Sequence, residues 1–214
     1  MEYPKTIFIS LIVLISSCAP KIYQSPTFNK AIRSHKTVAI LPAIVNLQLR
    51  PNEAKKYSKD QIEGIVSNLS HQIQDAMYSW FLRKSGKLNY TVNFQDISRT
   101  NSLLKASNLS SDFESRDQAE IAKILGVDAI IQNKSNMTKP MSEGAAVALG
   151  VLVGVWGSTN KVTTTVNIHD GESGNLLWRY DHQYSGSIGS SAEDLVNALM
   201  RNVSKHFPYA RPAN

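Results

Sequence analysis

The chain has 214 residues, a length that suits one domain with a single hydrophobic core. Its one cysteine excludes a disulfide bond within the chain. The 23 lysines and arginines outnumber the 17 acidic residues, which gives a formal net charge of +6, but they form no block of like charges. This spread predicts a solvated surface rather than a polyanion-binding arm.

The first eighteen residues have the layout of a secretory signal. Lys5 precedes an apolar run at residues 7–15, and the small residues Ser16 and Ser17 stand directly before Cys18. The apolar run is shorter than the ~20 residues that a permanent helical span needs. We therefore predict a signal peptide at residues 1–17 and an exported protein, for which nucleic acid is not an expected partner.

The sequence Ile-Ser-Ser-Cys at residues 15–18 resembles the lipobox of bacterial lipoproteins. The resemblance implies that the thiol of Cys18 is acylated, with chains such as palmitate, and that Cys18 becomes the first residue after cleavage. Several acyl chains anchor a protein stably, whereas one chain binds only marginally. Ala19 stands where the resemblance would place an Asp for inner-membrane retention, so we predict an outer-membrane lipoprotein with its body in the periplasm. The alternative is a plain signal peptide with an incidental cysteine.

Residues 18–36 are polar, contain two prolines and lack periodicity, which predicts a linker between the lipid and the fold. Residues 37–210 are predicted to form one periplasmic α/β domain. A mildly basic body of this kind would also be compatible with anionic lipid or a cell-wall polymer.

Apolar periodicities predict the elements of this domain. In chain order they are strands or helices at residues 37–42 (β), 58–84 (α), 91–94 (β), 98–105 (α), 115–126 (α), 127–132 (β), 161–169 (β), 175–185 (β) and 191–206 (α), with a turn at 170–174. Ser58 and Gln61 form a capping-box pattern, and Gly126 is a usual helix stop. The long helix is predicted to pack on the sheet through Ile65, Leu69, Ile73 and Trp80. The order indicates an α/β (α+β) fold, with helices on a mixed β-sheet, a C-terminal β-hairpin and a final helix.

Three stretches of this pattern carry a family resemblance: KTVAILP at 36–42, AEIAKILGVDAII at 119–131, and VNIHD with GNLLW at 166–178. Over residues 36–207 the chain resembles the CsgG/LpoB/TolB N-terminal-like group of periplasmic lipoproteins. These motifs are structural, so the resemblance implies a fold more than a specific function. The chain lacks the two long amphipathic hairpins from which CsgG builds a membrane barrel, so a pore is not implied.

No familiar catalytic or metal-binding pattern is found. The surroundings of Ser187 lack the first glycine of Gly-x-Ser-x-Gly, no phosphate-binding loop occurs, and the five histidines never stand at metal-ligand spacing. His169 and Asp170 are adjacent, but neighbouring strand residues point to opposite faces, which disfavours an acid–base pair. We predict a non-enzyme without cofactor, metal or small-molecule substrate.

Residues 144–157 are uncharged and apolar all round. As a helix this segment would be ~21 Å long, short of the ~30 Å hydrocarbon core. Ala146, Gly150 and Gly154 recur at every fourth position, as in close helix contacts, and Trp156 stands near the end. The segment is therefore a buried insert over the sheet, a self-association surface, or an interfacial membrane contact with Trp156 at headgroup level.

These observations predict a non-catalytic outer-membrane lipoprotein that acts as an adaptor or assembly factor of a cell-envelope complex, with an envelope protein or a second copy as partner. One alternative is an oligomeric component of a secretion or transport apparatus related to the curli secretion lipoprotein. Another, a cell-wall hydrolase, would need a catalytic constellation that the sequence does not display.

Overall fold

The computed structural model describes residues 21–49, 51–109, 113–138, 161–185 and 192–210. Within these ranges the chain forms seven strands and six helices. In chain order they are β1 (Lys21–Gln24), α1 (Phe28–Ser34), β2 (Thr37–Ile40), β3 (Ile44–Gln48), α2 (Pro51–Ala54), α3 (Lys59–Leu88), β4 (Asn93–Phe94), α4 (Ile97–Ala106), α5 (Gln118–Leu125), β5 (Ala129–Thr138), β6 (Lys161–Asp170), β7 (Leu176–Ser185) and α6 (Ala192–Val203).

The strands form one mixed sheet in the order β1-β7-β6-β5-β2-β4, with β3 also beside β5. Strands β2 and β3 run parallel to β5, whereas β5, β6, β7 and β1 pair antiparallel. Both β2 and β3 follow one edge of β5, and Pro42 lies in the break between them. The mixed sheet, the β6–β7 hairpin and the final helix α6 confirm the fold class predicted from the sequence.

Capping hydrogen bonds and left-handed residues mark the ends of the helices. The capping box of α3 is present: the backbone N–H of Gln61 donates to Ser58 Oγ (3.2 Å), and the backbone N–H of Ser58 donates to Gln61 Oε1 (2.9 Å). Helix α3 continues past Gly86 and ends where Asn89 adopts a left-handed conformation (φ 43°). Gly126 ends α5 at φ 65°, as predicted.

The sheet is covered differently on its two faces. On the first face, α3 and α6 pack over side chains such as Ile40, Ile131 and Val166 and form the larger core. The predicted contact face of α3 is confirmed, since Leu69, Ile73 and Trp80 are buried there and Ile65 packs at the margin. On the second face, α4 and α5 cover only the part of the sheet around Ala39, Leu41 and Ile130.

Residues 21–34, which fall in the stretch predicted to be a linker, contribute β1 and α1. Strand β1 pairs antiparallel with β7 at the edge of the sheet, from Lys21 opposite Asp181 to Gln24 opposite Trp178. Helix α1 is held by Phe28, which is buried in the first-face core. The described part of the chain thus begins with a strand, at Lys21, three positions after Cys18. No helix among the described residues has the length and apolar character to cross a membrane.

Candidate functional site

The residues that the sequence singled out for anchoring and interface lie outside the described part of the chain. They are Cys18, Ala146, Gly150, Gly154 and Trp156. Their roles therefore stay predictions. Within these, no group of three or more His, Cys, Asp or Glu side chains is placed to hold a metal ion.

His169 and Asp170, adjacent in sequence, have different partners in the structure. The ring Nδ1 of His169 lies 3.3 Å from the carbonyl oxygen of Gly174. Asp170 Oδ1 instead lies 2.9 Å from Nε2 of His35, which stands 135 positions earlier, and His35 Nδ1 lies 2.7 Å from the hydroxyl of Tyr209. We call His35, Asp170 and Tyr209 the histidine clasp. It joins the start of β2, the β6–β7 turn and the C-terminal segment.

The partners determine which atoms of the clasp carry protons. Burial raises the pKa of Asp170, but hydrogen bonds from Ser173 and His35 outweigh it and hold this pKa below the ordinary 3.8. An ionised carboxylate only accepts, so His35 Nε2 donates to Asp170. Burial, with Asp170 and Asp128 nearby, raises the pKa of Tyr209. Tyr209 therefore keeps its proton, and its hydroxyl can donate to Nδ1 when His35 carries its proton on Nε2.

The clasp has the wrong order of groups for nucleophilic catalysis. Ser173 Oγ donates to Asp170 Oδ2 at 2.6 Å, so the carboxylate lies between the hydroxyl and the imidazole. In a Ser-His-Asp arrangement the imidazole must contact the nucleophile to accept its proton. Here both ring nitrogens of His35 are occupied by Asp170 and Tyr209. This geometry favours a structural role for the clasp.

Close packing explains the glycines of the Asp170-Gly-x-x-Gly turn. A Cβ on Gly171 would lie 2.7 Å from the carbonyl oxygen of Asp128, and Gly174 adopts φ 71°. The carboxylate of Asp128 in turn accepts from the backbone N–H groups of Lys36 and Thr37, both at 2.8 Å. The motif shared with the family resemblance is thus accounted for by packing at the end of the sheet.

A second feature is the part of the second face that α4 and α5 do not cover. Side chains alternate between the two faces along a strand. Alternate residues of β3, β5, β6 and β7 that lie opposite one another in the strand pairing therefore share the second face. Each carries an exposed or half-buried polar side chain, and we call this set the polar sheet face: Asn46, Gln48, Lys134, Asn136, Thr138, Thr163, Arg179, Asp181 and Gln183.

Charges on the polar sheet face are neutralised locally. Lys134 pairs with Glu114, and Arg179 Nε donates to Asp181 Oδ2 at 2.8 Å. Burial raises the pKa of Asp181, but bonds from Arg179 and Thr165 outweigh it, so the pKa of Asp181 is lowered. The remaining groups are amides and hydroxyls. A surface of this kind offers hydrogen bonds without selecting a strongly charged ligand.

Amides on the polar sheet face already pair across strands. Asn46 Nδ2 donates to Asn136 Oδ1 at 2.7 Å between β3 and β5. Two rows farther along the same face, beyond Lys134, Gln132 Nε2 and Asn167 Oδ1 are buried on registered positions of β5 and β6 and have no hydrogen-bond partner among the described residues. Sequence reasoning missed this surface, although the run of Asn, Gln and Thr at alternate positions of β5 and β6 was a readable signal.

No family model matches the sequence, and no curated protein matches it. Among solved structures, the chain is similar to lipoprotein GNA1162 from Neisseria meningitidis, with 12% identity over 79% of this chain and 94% of that one and a TM-score of 0.40. It is also similar to the PelC dodecamer from Paraburkholderia phytofirmans (12% identity, 91% and 99% covered, TM-score 0.41) and to E. coli LpoB (10% identity, 87% and 81% covered, TM-score 0.40). TM-scores below 0.5 at these identities do not assign the chain to a family, so the predicted family stays a prediction.

Proposed function

We propose that this chain is a non-catalytic, lipid-anchored protein of the bacterial outer membrane whose periplasmic domain acts as an adaptor or assembly factor in a cell-envelope complex. The polar sheet face carries this proposal. Among the described residues it is a β-surface that no helix covers and whose charges are paired, whereas α3 and α6 cover the opposite face of the sheet. Its partner is a protein of the envelope.

The anchor is supported by the lipobox resemblance at residues 15–18. Cys18 is the sole cysteine of the chain, so an acyl group there competes with no disulfide. A tether on the N-terminal side of β1 meets the sheet at its β1 edge, away from strands β5 and β3 of the polar sheet face. The anchor and the partner surface can therefore act together.

A protein partner is supported by the chemistry of the polar sheet face. Amide and hydroxyl groups supply both donors and acceptors, and side chains on a rigid sheet are held in place better than side chains on loops. Paired charges such as Arg179 with Asp181 lower the electrostatic selectivity for polyanions. The non-catalytic part of the proposal is supported by the histidine clasp, which leaves neither ring nitrogen of His35 available to a substrate.

Site-specific photocrosslinking in intact envelopes tests this function. A benzophenone amino acid would replace Asn136 or Gln183 on the polar sheet face, and Lys105, exposed on α4, would serve as the control position. We expect one discrete adduct with an envelope protein from the two face positions, none from Lys105, and its loss when Cys18→Ala removes the anchor. Adducts that form equally at all three positions, or at none, would refute the adaptor surface. An adduct between two copies would instead favour the oligomeric secretion or transport component.

A further inference from the structure

The first segment that the structure describes is basic and contains no acidic residue. Residues 21–36, here called the basic rim, include β1, α1 and their connections. Its charged residues are Lys21, Lys30, Arg33 and Lys36, and the side chains of all four are exposed. Lys21 is on the edge strand β1, and Lys30 and Arg33 are on α1, which contacts β7 beside it. Lys36 precedes β2 and lies farther along the sheet, next to β4.

The basic rim also carries most of the exposed large apolar side chains. Among the described residues, three large hydrophobic side chains are exposed, and two of them are on β1: Ile22 (42%) and Tyr23 (48%). Strand β1 pairs with β7 on one side, which leaves its other backbone edge without a strand neighbour in the described sheet. Aliphatic, aromatic and basic side chains thus lie together at an open strand edge.

The distance to the proposed anchor limits where the rim can lie. Lys21 stands three positions after Cys18, and a chain spans at most ~3.6 Å per residue, or about 11 Å over this stretch. The headgroup region of one leaflet is roughly 5–8 Å thick, from the difference between total and hydrocarbon thickness. An acylated Cys18 therefore keeps the start of β1 at or just above the headgroups.

We infer that the basic rim docks on the anionic phospholipid surface of the membrane to which Cys18 is anchored, an inference that rests on the proposed lipid anchor. Lysine and arginine are attracted to lipid phosphates, and each raises partitioning onto an anionic surface about fivefold. Tyr23 has the amphipathic ring that is favoured at the membrane–water interface.

The open backbone edge of β1 sets the depth of this contact. Unpaired backbone N–H and C=O groups are not tolerated in hydrocarbon, so β1 lies among the headgroups, where phosphate and water can bond to them. Strands β7 to β3 then extend away from the membrane. The polar sheet face is presented to the periplasm at a fixed height and orientation.

Vesicle binding of the unlipidated mature chain tests the rim without relying on the anchor. Cys18→Ser protein would be sedimented with two kinds of vesicle. One is pure phosphatidylcholine, and in the other roughly a third of the lipid is phosphatidylglycerol. The rim variant changes Lys21, Lys30 and Arg33 to Gln, and the matched control changes Lys87, Lys105 and Lys123, exposed on α3, α4 and α5, to Gln. Both variants have the same net charge and alter only exposed side chains, and their melting temperatures are measured alongside.

We expect the rim variant to partition onto the anionic vesicles about a hundredfold more weakly than the parent, from three charges at about fivefold each, and the control to remain within about threefold. Salt should weaken binding of the parent and the control. Equal binding by all three proteins, or no preference for anionic vesicles, would overturn the inference.

Sedimentation without vesicles separates lipid from a second copy as the occupant of the rim. If the rim variant dissociated a dimer of the parent while vesicle partitioning stayed unchanged, the rim would be a self-association edge and the lipid inference would fall. The proposed function fails by different observations, namely no acylation of Cys18 or no envelope adduct from the polar sheet face.

Discussion

A matched pair of tyrosine substitutions tests the histidine clasp. Tyr209 and Tyr180 are both fully buried aromatic residues of the larger core. The hydroxyl of Tyr209 lies 2.7 Å from His35 Nδ1, whereas the hydroxyl of Tyr180 is buried with no hydrogen-bond partner among the described residues. Replacing each by phenylalanine removes one oxygen and keeps the ring, so the two changes differ mainly in the hydrogen bond.

The expected magnitudes follow from this difference. Tyr209→Phe leaves the buried Nδ1 of His35 unpaired, and a buried polar atom that loses its partner costs about 1–3 kcal/mol. Tyr180→Phe removes a buried hydroxyl that makes no hydrogen bond to the described residues, so the free energy of unfolding should change by less than about 0.5 kcal/mol or increase. For a domain of this size, each kcal/mol lowers the melting temperature by about 2–4 °C.

Urea unfolding followed by far-ultraviolet circular dichroism, with calorimetry for the melting temperature, measures both variants at neutral pH. The slope of free energy against urea should stay constant, because neither change alters the surface exposed on unfolding. If Tyr209→Phe were as stable as the parent, or if Tyr180→Phe cost as much as Tyr209→Phe, the hydrogen bond between His35 and Tyr209 would not stabilise the fold.

Four further predictions concern the carboxylate of the histidine clasp, the core contact of α3, the anchor and the apolar segment. Asp170→Asn should destabilise the protein most near neutral pH. Because the pKa of Asp170 is lowered on folding, its stabilising contribution is full above the ordinary value of 3.8 and is lost as pH falls through the lowered value, so unfolding curves of parent and variant should converge in acid. Leu69→Ala should cost about 2–5 kcal/mol, since Leu69 is 3% exposed, whereas Leu82→Ala on the same helix, 51% exposed, should stay within about 0.5 kcal/mol in the same urea assay. Cys18→Ala should abolish incorporation of labelled palmitate, and normal labelling of the variant would disprove the lipoprotein prediction. Gly150→Leu should reduce self-association in analytical ultracentrifugation without a change in melting temperature if residues 144–157 form an interface, and a lowered melting temperature would indicate a buried insert instead.

Local sequence patterns were sufficient for most of the helices and strands. The 3.6-residue periodicity of α3 and its Ser58–Gln61 capping box depend on neighbours within a few residues, and both are present in the structure. The same holds for the β6–β7 hairpin, whose Asp-Gly-x-x-Gly turn encodes its own geometry. Such features are readable because the hydrogen bonds and side-chain periodicities involved join residues close in sequence.

Strand β1 carried no such signal. All four of its side chains are exposed, so it shows no alternation of apolar and polar residues, and the sequence indicated a linker. It becomes a strand because β7 offers a free edge, and that edge is created by residues more than 150 positions later. The basic rim exists as a surface only through this pairing.

The two candidate surfaces likewise depend on contacts that span most of the chain. His35 meets Asp170 across 135 positions, and no local pattern relates them. The polar sheet face arises because the register of β3, β5, β6 and β7 aligns their polar positions, while α4 and α5 are too short to cover them all. Periodicity determines which side chains share a face of one strand, but strand order and register, which are long-range packing outcomes, determine which strands bring those faces together.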